Sequence, residues 1–109
     1  MKYKLTKNKK TIGDVTLYQI EALKDFSDIK KGDLGGWIEK ESNLSQQGDC
    51  WVSGSAMVCD NAQVSSNAMV SGNAIVSGNA RVFGNARVYG NAIVSGLSLI
   101  HISEPTRPY

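Results

Sequence analysis

The chain has 109 residues, 41% of them hydrophobic and 20% charged, with a formal net charge of +2. That is one domain at most, and too mild a basicity to argue for nucleic acid as a partner. No stretch approaches the roughly 18 apolar residues of a membrane span, and Cys50 and Cys59 alone make neither a disulfide framework nor a metal-ligand set.

Lys2, Lys4, Lys7, Lys9 and Lys10 crowd the start of the chain and read as residues that solvate a strand and a turn. No apolar run follows them, so no secretory signal peptide is expected and the chain reads as cytoplasmic, or carried in a phage particle. Tyr3 and Leu5 alternate as a short strand, Lys7 to Asp14 form a polar turn region, and Val15, Leu17 and the run from Tyr18 to Leu23 form a second strand. Together they predict a β-hairpin that caps the repeats C-terminal to it. Phe26 and Ile29 lead into Gly32-Asp33-Leu34-Gly35-Gly36-Trp37, where the glycines permit a sharp turn that lays Trp37 over the first coil.

Beyond this leader a period of six organises the sequence. Valine stands at 52, 58, 64, 70, 76, 82, 88 and 94, and alanine follows four residues later at 56, 62, 68, 74, 80, 86 and 92. Between them come Gly54, Gly72, Gly78, Gly84, Gly90 and Gly96, replaced at two places by Asp60 and Ser66, and then asparagine at 61, 67, 73, 79, 85 and 91. A helix would set successive valines about 240° apart around its circumference, and recurrent Gly and Asn would weaken it. Short strands joined by tight corners satisfy the same pattern: Val suits a pleated surface, and Gly-Asn takes positive φ at a corner. Three sides of six residues close a coil of about 18 residues, and coils stack at roughly the 4.8 Å strand spacing. Val52, Val58, Val64, Val70, Val76, Val82, Val88 and Val94 then form the structural core, with Ala in the tighter space beside each corner. Cys50, Leu44 and Ile38 continue the small-residue series backward, so the solenoid is expected over 37–96, preceded by the cap over 1–36.

The Val-x-Gly-Asn-Ala-x unit resembles the hexapeptide repeat of left-handed parallel β-helices, and the handedness is implied by that resemblance alone. The leader, Leu17 to Phe26 followed by Gly32 to Glu39 and Asn43-Leu44-Ser45, is similar to that of bacterial and phage-borne hexapeptide-repeat proteins of polymer-forming or transferase type. The expected fold is therefore all-β: a left-handed parallel β-helix with an N-terminal β-hairpin cap. The resemblance brings two functions into view, a non-enzymatic scaffold or assembly module and an acyl-CoA-dependent acyltransferase that lacks its catalytic region. It also implies trimer formation.

The residues themselves supply no catalytic set. Acyltransferases of this kind use a histidine as general base, and the chain's single histidine is His101. The related carbonic-anhydrase chemistry needs several histidines to hold zinc, and no cofactor site is indicated. Cys59 lacks a neighbouring base or cation that would activate a thiol, and Cys50 falls in an inward slot. Asp33, Asp49 and Asp60 read as turn residues. Outward positions 18 apart align Met57, Ile75 and Ile93 on one flank, a possible contact strip for the hairpin or for a second copy, and Trp51, Met69 and Arg87 on the next. Arg81 and Arg87 with Phe83 and Tyr89 are too few for polyanion binding. Stacked pairs Asn61–Asn79, Asn67–Asn85 and Asn73–Asn91 predict amide ladders.

The repeat breaks after Gly96. Leu97 to Arg107 resembles the in-frame translation of a transposase adapter used in DNA library preparation, which marks 97–109 as a non-native tail; Ile100 nevertheless falls in the valine register.

Overall fold

The computed structural model describes residues 1–96 and, after them, the backbone of a strand at Leu99–Ile102. The rest of the proposed non-native tail lies outside the described residues. The chain opens with β1 (Tyr3–Ile12), β2 (Val15–Ala22) and β3 (Leu34–Ile38), antiparallel in succession. Short rungs continue the chain: β4 (Trp51–Val52), β5 (Met57–Val58), β6 (Gln63–Val64), β7 (Met69–Val70), β8 (Ile75–Val76), β9 (Arg81–Gly84), β10 (Arg87–Val88), β11 (Ile93–Val94) and β12 (Leu99–Ile102). They stack into three parallel walls, β3-β5-β8-β11, β4-β7-β10 and β6-β9-β12. Within the repeats the register is uniformly 18 residues, as in Met57↔Ile75↔Ile93 and Trp51↔Met69↔Arg87. The backbone of Ile100 pairs with Val82 in that register.

Alternation in each rung turns Val inward. Among the described residues all the column valines are buried, from 0% exposed at Val52 to 8% at Val94, and Ala56 through Ala86 lie beside them at 0%. Each fully buried valine is worth about 1.5–3 kcal/mol over an exposed one, so the columns supply the main driving force. The polar backbone is satisfied between coils: Ser53 N donates to Val70 O at 2.8 Å on a wall, and Asn61 N to Gly78 O at 2.9 Å at a corner.

The corner turns on one residue rather than two. The residue two places after each valine takes φ between 58° and 69°, whether glycine, Asp60 or Ser66, while no asparagine does so. Glycine also suits the stacking, since a Cβ on Gly72 would stand 2.9 Å from Gly90 N.

The first coil corrects the backward extension of the repeat. Ile38 pairs with Val58, and Leu44 forms a bridge to Val64, so both occupy the valine column rather than the small-residue column. Cys50, directly before the Trp51–Val52 rung, does take an alanine slot and is 0% exposed. Two extra residues between Leu44 and Val52 widen that corner and break the period of six.

The leader extends a wall. β1 and β2 continue the sheet of β3 past the first coil, pairing what would be an open strand edge. The region Lys7–Asp14 is not a turn: β1 runs to Ile12 and reverses at Gly13 (φ 60°) and Asp14. Positive φ at the first turn position alone matches the right-handed strand twist. Surplus residues between Leu5 and Lys9 are absorbed by an irregularity in which Thr6 Oγ1 donates to Gln19 O at 2.8 Å and Asn8 Nδ2 to Gln19 Oε1 at 3.0 Å. Tyr3, Ile20 and Ala22 join the valine core and close its end.

Candidate functional site

Three places in this fold carry side chains with more than a packing role. The first is the mouth of the first coil. Lys2 does not solvate a strand; it is 1% exposed. Its Nζ donates to Cys50 O at 2.7 Å, Gly48 O at 3.2 Å and Cys50 Sγ at 3.3 Å, and stands 5.0 Å from the centre of the Phe26 ring. In the stack each coil's carbonyls accept from the N–H groups of the coil before it, and with no rung ahead of the widened corner the carbonyls of Gly48 and Cys50 are met instead by a long cationic side chain. Burial pulls the Lys2 amine below its ordinary pKa, opposed by Cys50, and burial pushes the Cys50 thiol up, opposed by Lys2. Tyr3 OH donates to Leu44 O at 2.5 Å and Glu41 O at 3.0 Å, and Gln46 Oε1 accepts from Lys2 N at 2.8 Å and Tyr3 N at 3.2 Å.

Asn43 is the other buried polar residue that sequence reasoning missed. At 0% exposure its Oδ1 accepts from Glu39 N (3.1 Å) and Lys40 N (2.9 Å), while Nδ2 donates to Asp60 O (3.2 Å) and Ala62 O (2.8 Å). The side chain acts as the corner backbone that the first coil lacks. An Asn directly before an aliphatic residue of the valine column, with no corner glycine preceding it, was the available signal.

The second place is a groove of about 610 Å³ between the leader loop and the wall of β4, β7 and β10. Its rim carries Asp28, Arg87 and Tyr89, and its floor Trp51 and Met69. Trp51 was expected outside and is 2% exposed, because the loop that reverses at Phe26–Ile29 folds back over it. Phe26 and Tyr3 meet its ring edge-on at 5.3 and 6.3 Å. Arg87 remains exposed at the far end of that column.

The third is the outer column of the β3-β5-β8-β11 wall. Met57, Ile75 and Ile93 stack there in register, Met57 and Ile75 half-buried and Ile93 69% exposed. Trp37 stands at its head, paired with Met57 and covered by Lys10 Nζ at 4.5 Å from the ring centre.

Elsewhere the chemistry is quiet. The Cys59 thiol is held up by burial, then by Asp60 and Glu39, the reverse of activation. Asp33 Oδ2 accepts from Lys30 N at 2.9 Å within its own turn, and Asp60 Oδ2, at a corner, accepts from Gly78 N of the next coil at 3.0 Å. Among the described residues no group of three or more His, Cys, Asp or Glu could hold a metal, and no helix is long and apolar enough to cross a membrane. The His101 side chain lies outside the described residues. Of the amide ladders, Asn73 donates to Asn91 at 3.3 Å, and Asn67 Oδ1 accepts instead from Asp49 N of the preceding coil at 3.2 Å.

Comparison with known proteins places the repeats. The YdcK β-solenoid repeat family matches residues 62–78, 76–88, 80–96 and 86–101. A protein of Escherichia coli K12 named as the uncharacterized acetyltransferase YdcK is 49% identical over 39 residues, 36% of this chain and 12% of that protein. The chain thus spans a small part of the relative's length. Repeat, stacking register and family match together fit a hexapeptide-repeat left-handed β-helix protein.

Proposed function

We propose that this chain is a scaffold or assembly module, a rigid β-solenoid that works through its outer surface and self-associates, as a trimer, along the Met57–Ile75–Ile93 column. The observation that carries this reading is the column itself: apolar side chains in register on the outside of a wall whose core is already filled by valine. The leader's likeness to phage-borne proteins supports a place in an assembled particle. The test is the solution mass of the protein by light scattering, with Ile75→Lys as the disrupting variant. A trimer that dissociates on substitution is expected; a monomeric parent, or an oligomer indifferent to the substitution, would overturn the proposal.

A second reading, an acyl-CoA-dependent acyltransferase, is favoured by one observation, the acetyltransferase name of the relative matched by the repeats. Acetyl-CoA titrated into the protein, and into any longer product of its gene, distinguishes the two. Saturable heat together with acetyl transfer to an acceptor supports the enzyme, and its absence supports the scaffold.

A further inference from the structure

Lys2 and Cys50 are 48 residues apart in sequence, yet Nζ and Sγ lie 3.3 Å apart in a site from which water is almost wholly excluded. Neither belongs to the outer column, and the fold would be served by a cation with carbonyl acceptors alone. The alanine slot that Cys50 fills holds alanine on each later side from Ala56 to Ala92, so a thiol is not needed for packing there. We propose that Lys2 Nζ and Cys50 Sγ are an oxidative crosslinking pair, joined covalently when a peroxide reaches the end of the solenoid.

The chemistry balances with one peroxide. The Cys50 thiol attacks a peroxide oxygen: the O–O bond breaks, an S–O bond forms, sulfur loses two electrons, and water leaves with the thiol proton. The sulfenic acid so formed faces the Lys2 amine. The nitrogen lone pair attacks sulfur, the S–O bond breaks, and the hydroxyl departs as a second water with a proton from the amine. Thiol, amine and hydrogen peroxide thus give an S–N linked sulfenamide and two waters. Burial favours the neutral, nucleophilic amine that the second step needs, and by holding the Cys50 thiol up it makes the first step, which the thiolate performs, the slow one. Two equivalents of an added thiol reverse the bond, releasing amine and Cys50 thiol and forming one disulfide. Both groups lie beside the exposed Met1 at the end of the solenoid, so the oxidant would enter when the first residues of the chain open. The bond would tie the leader to the coil it closes.

The experiment uses the full chain carrying Cys59→Ser, so that a Cys50–Cys59 disulfide cannot imitate the mass change. After limited hydrogen peroxide treatment, intact mass and peptide mapping should show loss of two hydrogens with residues 2 and 50 in one linked peptide. Dithiothreitol should restore the parent mass, and the linked form should melt more than about 5 °C higher. Lys2→Arg should abolish the link. A readout that needs no Lys2 variant is amine labelling after unfolding, in which Lys2 should be reactive in the reduced protein and blocked in the oxidised one. A linked pair that retains one oxygen, formed with a second peroxide and releasing a third water, joins the same residues through an N–O–S bridge and upholds the pairing. Cys50 carrying two or three oxygens with Lys2 fully labelled, or Cys50 unmodified, would overturn it.

Discussion

Replacing Asn43 by Ala removes the side chain that stands in for a missing corner of backbone, and the loss can be worked bond by bond. Glu39 N keeps a second acceptor in Val58 O at 3.1 Å, so its share is small. Lys40 N and Asp60 O sit where solvent can partly replace the amide, whereas Ala62 O is bonded within the buried interior at 2.8 Å. An unmade buried bond costs about 1–3 kcal/mol and a partly solvated one less, which puts the total at about 2–4 kcal/mol. For a domain whose whole stability is on the order of 5–15 kcal/mol, that is a large fraction. Urea titration followed by tryptophan fluorescence reads it, since Trp37 and Trp51 flank the coil. Asn73→Ala, an exposed corner with one bond to Asn91, is the control and should change stability by less than about 0.5 kcal/mol. If Asn43→Ala proves as mild as Asn73→Ala, the side chain is not acting as the corner.

Val76→Asp buries a carboxylate in a column that is 0% exposed and should cost several kcal/mol, enough to unfold the stack by circular dichroism, while the outward neighbour substitution Ser77→Asp should cost little; equal losses would contradict the inward and outward assignment. Ser66 holds φ 58° without the freedom of glycine, so Ser66→Gly should raise stability by about 0.5–1 kcal/mol in denaturant titrations. Asp60→Gly should gain less, because it forfeits the bond from Gly78 N. Alkaline titration should weaken the fold. The Cys50 and Tyr3 pKa values are raised by burial above 9.0 and 10.0, so the unfolded chain loses these protons first, and stability present below pH 9 falls as pH rises through and beyond 10. Lys2, lowered from 10.5, works in the opposite sense, so Tyr3→Phe should flatten the loss measured by melting temperature and Lys2→Met should steepen it.

The six-residue period made the core legible because every coil from Val52 onward repeats one solution to one packing problem. The period failed where the packing problem changes. Counting back in sixes put Leu44 and Ile38 beside the corners, because two residues inserted before Val52 carry no hydrophobic mark of their own. Trp51 looked outward by register and is buried by a loop that folds over it, a contact between segments that no local pattern encodes. Lys2 read as a solvating residue from its neighbours; its burial depends on a first-coil carbonyl, 48 residues away, that has no preceding coil to bond it. The outer column of Met57, Ile75 and Ile93 followed directly from the 18-residue register, and so did its alignment.

Methyl-to-methyl NOE spectroscopy on valine-labelled protein tests the stacking most directly. Cross-peaks should link Val58 to Val76 and Val76 to Val94, Val52 to Val70 and Val70 to Val88, and Val64 to Val82. Valines that show contacts at other separations but none at 18 would contradict the three-walled coil.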